Sequence, residues 1–159
     1  VGLALFTAFV IVVLILAIGV AFYGVSLPTD PKKWAVLVAV FLLGVSACSL
    51  LGIAYTRLIR SSSSAAAIVQ PPYLVLQFIS GVFLQYSQVP PFLQTIAAVF
   101  PLKWMVQGLR YVFLPDWVAV DDYGGEWQLE RALLVLLAWL AASFVAARLF
   151  FRWSRGYSG

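Results

Sequence analysis

Between Leu3 and Val25 the chain reads LALFTAFVIVVLILAIGVAFYGV, an apolar run without a single charged residue. A helix rises about 1.5 Å per residue, so about 20 apolar residues cross the hydrocarbon core of a bilayer, which is about 30 Å thick. The run is followed by SLPTDP at residues 26–31, whose two prolines predict the end of the helix. The sequence therefore opens with a predicted membrane-spanning helix.

Three later segments have the same character, and the four predicted spans are residues 3–25, 34–55, 65–86 and 132–151. The third is interrupted near its start by Gln70-Pro71-Pro72, which kinks the helix or delays its start because proline lacks a backbone donor. These spans predict an all-α fold, a polytopic transmembrane helical bundle that forms a single domain over residues 1–159. Because the chain begins with Val1 inside an apolar run, we expect it to be a fragment of a longer protein.

The composition of the whole chain agrees with this interpretation. Of the 159 residues, 64% are hydrophobic and 10% are charged, whereas a soluble domain is roughly 45–50% apolar and about 25% charged. A small globule exposes much of its surface, and too few charged residues are present to cover it. The chain is therefore expected to reside in a lipid bilayer.

The residues needed for several kinds of chemistry are absent from the sequence. There is no His, and Cys48 is the only cysteine, which excludes His-based catalysis, a disulfide within the chain and a CxxC site. No lysine follows a glycine-rich phosphate-binding loop. We therefore predict no catalytic residue, no bound cofactor and no metal site in this chain.

The charged residues also narrow the function. The net charge is +4, but the ten basic residues are scattered between apolar runs, which does not fit nucleic-acid binding. No acidic residue lies inside a predicted span. Because transport coupled to protons or cations usually needs an intramembrane carboxylate or His, the energy for any transport is expected to come from elsewhere.

The connection between the last two spans is too apolar for an ordinary loop. Prolines at 90, 91, 101 and 115 divide it into two short segments, Phe92–Phe100 and Leu102–Phe113. Neither is long enough to span, so we predict interfacial or re-entrant helices over about 90–114, outside the cytoplasm. The aromatic residues expected in the headgroup layer are Trp104, Tyr111, Trp117, Tyr123 and Trp127, and those expected in a solvated acidic loop are Asp121, Asp122, Glu126 and Glu130.

The distribution of basic residues predicts the orientation. If both ends of the chain face the cytoplasm, the inner segments carry Arg57, Arg60, Arg148, Arg152 and Arg155 and no acid, a charge of +5 against −1 outside. Basic residues close to span ends set the orientation, so the arginine cluster near the C-terminus predicts a cytoplasmic C-terminus. Lys32-Lys33 argues against this orientation.

Small residues recur at four-residue spacing in two spans. Such ridges allow two helices to approach closely in a membrane, where no hydrophobic effect drives their association. They fit packing within the chain or an interface between subunits, with Cys48 acting as a small apolar spacer. The residues predicted for helix packing are Gly44, Cys48, Gly52, Ala138, Ala142 and Ala146.

The third span carries polar residues on one face. Gln70 and Gln77 are seven residues apart, which places them on the same side of a helix, with Tyr73, Ser80 and Gly81 nearby. Uncharged polar groups in a span hydrogen-bond to neighbouring helices or line a substrate path. Both interpretations stay open at this point.

Four short stretches carry a resemblance to a known family. They are FISGVF at 78–83, PPFLQ at 90–94, FPLKW at 100–104 and GLR at 108–110. Their order resembles the ABC-2 type permease family, the membrane subunits of bacterial ATP-binding-cassette exporters. Ser80, Gly81, Pro90, Pro101 and Arg110 fit the family pattern, whereas Gln85 stands where many members carry proline. The stretch from Phe100 through Pro115 is most similar to drug- or antibiotic-type exporters.

The resemblance implies a function and a set of partners. Members of the family usually have six spans, so the four spans here would be the third to the sixth. The chain would form the translocation pathway for a hydrophobic or amphipathic compound, such as a drug, an antibiotic or a lipid-like molecule, in the plasma membrane. It would pair with a second permease copy and a cytosolic ATPase subunit, which binds ATP and magnesium.

Individual residues receive roles through the same resemblance. The pathway candidates are Gln70, Tyr73, Gln77, Ser80 and Gly81, and the candidates for an external gate are Pro90, Pro101, Lys103 and Arg110. Contacts with the ATPase would lie mostly in the N-terminal half that this chain lacks. Two alternatives stay open: a permease that exports a polysaccharide or lipid-linked glycan, and a membrane structural or assembly subunit that transports nothing.

Overall fold

The structure is a computed structural model that describes residues 1–55, 62–83 and 86–150. The described residues form helices and turns, with no strand among them. The helices are α1 (Gly2–Tyr23), α2 (Pro31–Tyr55), α3 (Ser62–Ile79), α4 (Pro91–Ala97), α5 (Pro101–Phe113) and α6 (Leu129–Phe150). Short 3₁₀ turns lie at Tyr86–Gln88, Asp116–Asp121 and Tyr123–Gly125. The predicted all-α class is therefore confirmed.

A glycine, rather than a proline, ends α1. Gly24 adopts a left-handed conformation with φ of 62°, and the Val25 N–H donates to the Gly19 carbonyl at 3.1 Å. Glycine adopts this conformation without a steric penalty, which makes it a common residue at the end of a helix. The prediction that the two prolines stop the helix is wrong, because Pro31 instead starts α2, where its missing N–H costs nothing.

Three of the described helices have the length and composition of a membrane span, namely α1, α2 and Leu129–Leu149 of α6. The predicted third span matches α3, whose 18 residues include three serines, two prolines and two glutamines and are less apolar. The helix also ends at Ile79 rather than at Tyr86, because Gly81 turns the chain with φ of 80°. The predicted end of this span is therefore wrong.

The packed core lies where α2, α5 and α6 meet. Val40 of α2, Trp104 of α5, and Ala132 and Leu136 of α6 form one buried cluster. Trp104 is 1% exposed, so the prediction that it lies in the headgroup layer is wrong: its ring fills the space between the three helices. Trp117, by contrast, is largely exposed.

Helix α5 runs antiparallel to the first half of α2. Lys33 lies over the ring of Tyr111, 5.4 Å from its centroid, close to the start of α2 and the end of α5. Near the start of α5, Met105 packs against Gly44 of α2 so closely that an added Cβ would come within 2.6 Å of it. We call the end of the bundle where α2 begins the Pro31 end.

The predicted small-residue ridges have different surroundings. Gly44 is buried against Met105, whereas Cys48, Gly52, Ala138 and Ala142 are exposed and Ala146 is partly buried. The buried positions of α6 are instead Ala132, Leu136, Ser143 and Ala147. Helix α1 has no buried residue: most of its apolar side chains are exposed, and those along one face, including Ala8, Val12 and Leu16, are partly buried. The role of the exposed small residues in packing stays a prediction.

The contact between α2 and α5 can be tested at Gly108. A Cβ added there would lie 2.6 Å from Cγ2 of Val40, whose side chain is stiff because it branches at Cβ. We expect Gly108→Ala to lower the stability of the full-length protein by about 1–3 kcal/mol, measured as thermal unfolding in detergent micelles. Gly52→Ala is the control, since its Cβ meets nothing within 4 Å. Equal effects of the two substitutions would contradict the close packing.

Candidate functional site

A group of buried polar side chains lies where α5 meets the segment that leads to α6. Lys103 is 1% exposed, Gln107 is 0% exposed and the side chain of Asp122 is 3% exposed. Arg110, on the same helix as Lys103 and Gln107, is partly buried beside them. We call these four residues the polar cluster. Buried charges are stable only when they are paired and hydrogen-bonded, so each contact of the cluster has an energetic role.

Lys103 is enclosed on several sides. Its Nζ donates to Oδ1 of Asp122 at 2.8 Å and to Oε1 of Gln107, and it lies 4.7 Å from the ring centroids of both Tyr86 and Trp104. The ion pair and the two rings thus compensate for part of the hydration that Lys103 has lost.

Gln107 connects α5 to the chain that precedes α6. Its amide Nε2 donates to the carbonyl oxygens of Glu126 at 3.0 Å and of Trp127 at 2.6 Å. Gln107 and Lys103 are four residues apart and therefore lie on the same face of α5. A single amide side chain thereby accepts from Lys103 and donates to two backbone carbonyls.

Arg110 connects the cluster to the end of α3. Its Nη2 donates to the carbonyl oxygen of Gly81, in the turn that follows α3. Its Nη1 lies 3.8 Å from Oδ2 of Asp122, so the carboxylate holds an ammonium on one side and a guanidinium on the other. The polar cluster therefore joins α5, the turn after α3 and the segment around Asp122.

A second set of hydrogen bonds fixes the start of α4. The Tyr86 hydroxyl donates to the Gln94 carbonyl at 2.6 Å, and Gln94 Nε2 donates to the carbonyls of Tyr86 at 3.0 Å and of Val89 at 2.7 Å. Pro90 is the residue before α4, and the buried Pro101 is the first residue of α5. Pro91 is the first residue of α4. Since proline lacks the N–H that the first helical position would leave unpaired, Pro91 and Pro101 favour these helix starts.

Two indole N–H groups donate hydrogen bonds to backbone carbonyls between α4 and α5. Trp104 Nε1 donates to the Ala98 carbonyl and Trp139 Nε1 donates to the Val99 carbonyl, each at 2.7 Å. The last carbonyls of a helix have no partner within the helix, and they are costly when water is excluded. The two tryptophans provide donors at the place where the chain turns from α4 into α5.

The pathway candidates fall into two groups. On α3, Gln70 and Tyr73 are exposed and Gln77 is half-buried, with Gln77 Nε2 donating to the Tyr73 hydroxyl at 2.8 Å. Ser80 and Gly81 are buried at the end of α3, beside Arg110. The structure therefore brings Gly81 to the gate candidate Arg110, which shares the carboxylate of Asp122 with Lys103, and it leaves the polar residues of α3 at the surface. Arg57, Arg60, Gln85, Arg152 and Arg155 lie outside the described residues.

Sequence reasoning missed two members of the polar cluster. Asp122 was expected in a solvated acidic loop, but it is buried because two cations of α5 face it, whereas Glu126 and Glu130 are exposed as expected. Gln107 was not considered, although its spacing from Lys103 was a usable signal. In the part of the chain that the structure describes, no group of His, Cys, Asp or Glu residues could hold a metal ion.

The long apolar helices and the short helices packed between them define an integral membrane protein with several spans. The family model for ABC-2 type transporters matches residues 2–114, and the chain belongs to that family. The match ends directly after α5, so the polar cluster lies within it except for Asp122. No curated protein and no solved structure matches the chain significantly. The chain is thus a membrane component of a transporter rather than a catalytic domain.

The buried ion pair makes a testable prediction. Lys103→Met leaves the buried carboxylate of Asp122 without the ammonium group that neutralises it. We therefore expect the free energy of unfolding of the full-length protein to fall by about 3 kcal/mol, measured by thermal unfolding in micelles. The double substitution Lys103→Met/Asp122→Asn removes both charges. It is expected to restore part of that loss, since a neutral buried pair needs less compensation. A double variant that is less stable than the single one would contradict this account.

Proposed function

We propose that the chain forms the translocation pathway of an ATP-binding-cassette exporter, for a hydrophobic or amphipathic compound. The observation that carries the proposal is the family match over residues 2–114, which covers α1 to α5. The sequence has no glycine-rich phosphate-binding loop, so ATP would be hydrolysed on a separate cytosolic subunit that also binds magnesium. A second permease copy would complete the pathway in the plasma membrane.

The exposed surface of α3 fits such a pathway. Gln70, Tyr73 and the half-exposed Gln77 form a polar row, and exposed apolar side chains lie beside it on the same helix: Val69, Leu74, Val75 and Phe78. A surface that alternates between hydrogen-bonding and apolar groups suits a compound that has both characters. We therefore assign α3 to the pathway.

The topology supports α3 as a fourth crossing of the membrane. Helix α2 leads away from the Pro31 end, and α5 packs beside the first half of α2, at that end. The chain must therefore return between Tyr55 and α4, and the 18 residues of α3 provide about 27 Å. This length is close to the thickness of a bilayer core.

The placement of α4 and α5 supports a re-entrant pair. Gly44 lies 13 residues after the start of α2, and Trp139 lies ten residues after the start of α6, depths of about 15–20 Å along the helices. Gly44 contacts Met105 near the start of α5, and Trp139 donates to the Val99 carbonyl between α4 and α5. The turn would thus lie near the middle of the bilayer, with its carbonyls covered by indoles. We infer that the Pro31 end faces outward and that α4 and α5 close the path there.

Purification from native membranes tests the proposal. We expect the tagged full-length protein to bring down an ATPase with a phosphate-binding loop, and proteoliposomes of the complex to accumulate ethidium with ATP but not with AMP-PNP. If an ATPase is present but only a lipid-linked glycan is transported, the substrate class is wrong. If no ATPase is recovered and nothing is transported, the chain is a structural or assembly subunit and the proposal fails.

Gln77 tests the role of α3 in transport. Gln77→Leu removes a polar group from the proposed pathway and releases the Tyr73 hydroxyl from its partner. We expect ethidium transport to fall by about fivefold, because one lost hydrogen bond is about 1 kcal/mol. Thr7→Leu on the exposed surface of α1 is the control and should transport normally. Equal transport by both variants would remove Gln77 from the pathway.

A further inference from the structure

We propose that the polar cluster is a latch in which the carboxylate of Asp122 holds the guanidinium of Arg110 on the Gly81 carbonyl. The latch fastens the end of α3 to α5 and to the segment around Asp122. A closed latch would keep the proposed external gate shut. This consequence for transport rests on the proposed function. The existence of the latch can be tested without any transport assay.

The first argument is that α3 is held at its end. From Val69 to Val75 its side chains are exposed, and the first buried side chain after Val69 is that of Ile79, which packs with Tyr86 and Ala97. Pro71 and Pro72 lie inside the helix, where proline removes backbone hydrogen bonds and permits bending. The segment after Pro72 is therefore the part of α3 whose position depends on the contacts of Ile79, Ser80 and Gly81.

The second argument is the charge arrangement at Asp122. One carboxylate faces two cations, with Lys103 at 2.8 Å on Oδ1 and Arg110 at 3.8 Å on Oδ2. Without the carboxylate, the two cations would repel each other in a site that excludes most water. The guanidinium of Arg110, whose side chain is 21% exposed, can turn towards solvent, whereas Lys103 at 1% cannot. Loss of Asp122 should therefore release Arg110 from Gly81.

The third argument is that the latch joins parts that are distant in the sequence. Arg110 and Gly81 are 29 residues apart, and Lys103 and Asp122 are 19 residues apart. Because Lys103 and Arg110 meet at one carboxylate, opening the cluster at Asp122 frees the end of α3 from α5, while Gln107 still joins α5 to Glu126 and Trp127. This gives a two-state element, closed with Arg110 on Gly81 and open with Arg110 in solvent.

Ser80 offers a reporter position for the state of the latch. It is 2% exposed, lies next to Gly81, and its Oγ has no hydrogen-bond partner among the described residues. Ser80→Cys therefore breaks no described side-chain hydrogen bond and adds a thiol, the latch reporter, that is shielded while the latch is closed. Ser143 on α6 is equally buried and its Oγ also lacks a described partner, so Ser143→Cys adds a second thiol, the bundle reporter, that detects unfolding of the bundle.

The experiment measures the rate at which a polyethylene glycol maleimide labels the latch reporter in the full-length protein in micelles, with the native cysteines replaced, including Cys48→Ala. We expect Asp122→Asn to raise this rate by about tenfold or more, because the charge-assisted hydrogen bond from Arg110 to the Gly81 carbonyl is lost. Asp116→Asn is the matched control: Asp116 is an exposed carboxylate shortly before Asp122 in the chain, bonded to Trp127 at 3.3 Å. It should change the rate by less than about twofold.

Two further variants separate the latch from general unfolding. Arg110→Gln removes the tie to Gly81 but leaves the Lys103–Asp122 pair, and it should also expose the latch reporter. The bundle reporter of Ser143→Cys should stay unlabelled in every background, whether or not transport is observed. The latch is overturned if Arg110→Gln leaves the latch reporter protected, if Asp116→Asn exposes it as much as Asp122→Asn does, or if the two reporters become reactive together.

Discussion

The buried carboxylate of Asp122 is the contact on which the arrangement of the short helices depends. Lys103 can stay in the interior because this carboxylate neutralises it, and Gln107 is oriented by Lys103 towards the chain before α6. Arg110 reaches Gly81 from the other side of the same carboxylate. Removing water from a charge is costly, so Lys103 and Asp122 are stable in the interior only as a pair. That interdependence gives the end of α3, α5 and the segment around Asp122 one common geometry.

A second constraint acts on the backbone. The turn between α4 and α5 lies beside α6, where Trp139 bonds to the Val99 carbonyl, and the start of α5 that follows it packs against Gly44 of α2. Its carbonyls at Ala98 and Val99 accept hydrogen bonds from two indoles, one from α5 and one from α6. Both N–H groups replace water as donors, and the ring of Trp104 also fills the core, whereas the ring of Trp139 stacks on Phe100. This explains why a residue type common at the membrane surface is buried at Trp104.

The sequence predicted the long helices well because uninterrupted apolar runs leave few alternatives. It also located α4 and α5, since Pro90 and Pro101 mark their starts. It failed where a side chain's environment depends on a distant partner: Asp122 is like its acidic neighbours in composition, and only the fold brings Lys103 and Arg110 to it. The predicted end of α1 was too late in the chain, because Gly24 ends the helix before Pro28 and Pro31 are reached. Gly81, by contrast, was singled out from the family pattern, and the structure adds its contact with Arg110.

The uniformly apolar surface of α1 has a consequence for biosynthesis. A helix with no charge and no buried residue needs no neighbour to enter the lipid, so it can leave the translocon on its own. Helix α3 is different, because its glutamines and prolines make solitary insertion unfavourable. We therefore expect α3 to insert into the membrane late, after the ribosome has synthesised much of the chain that follows it. Insertion of α3 would then depend on the synthesis of α4 and α5.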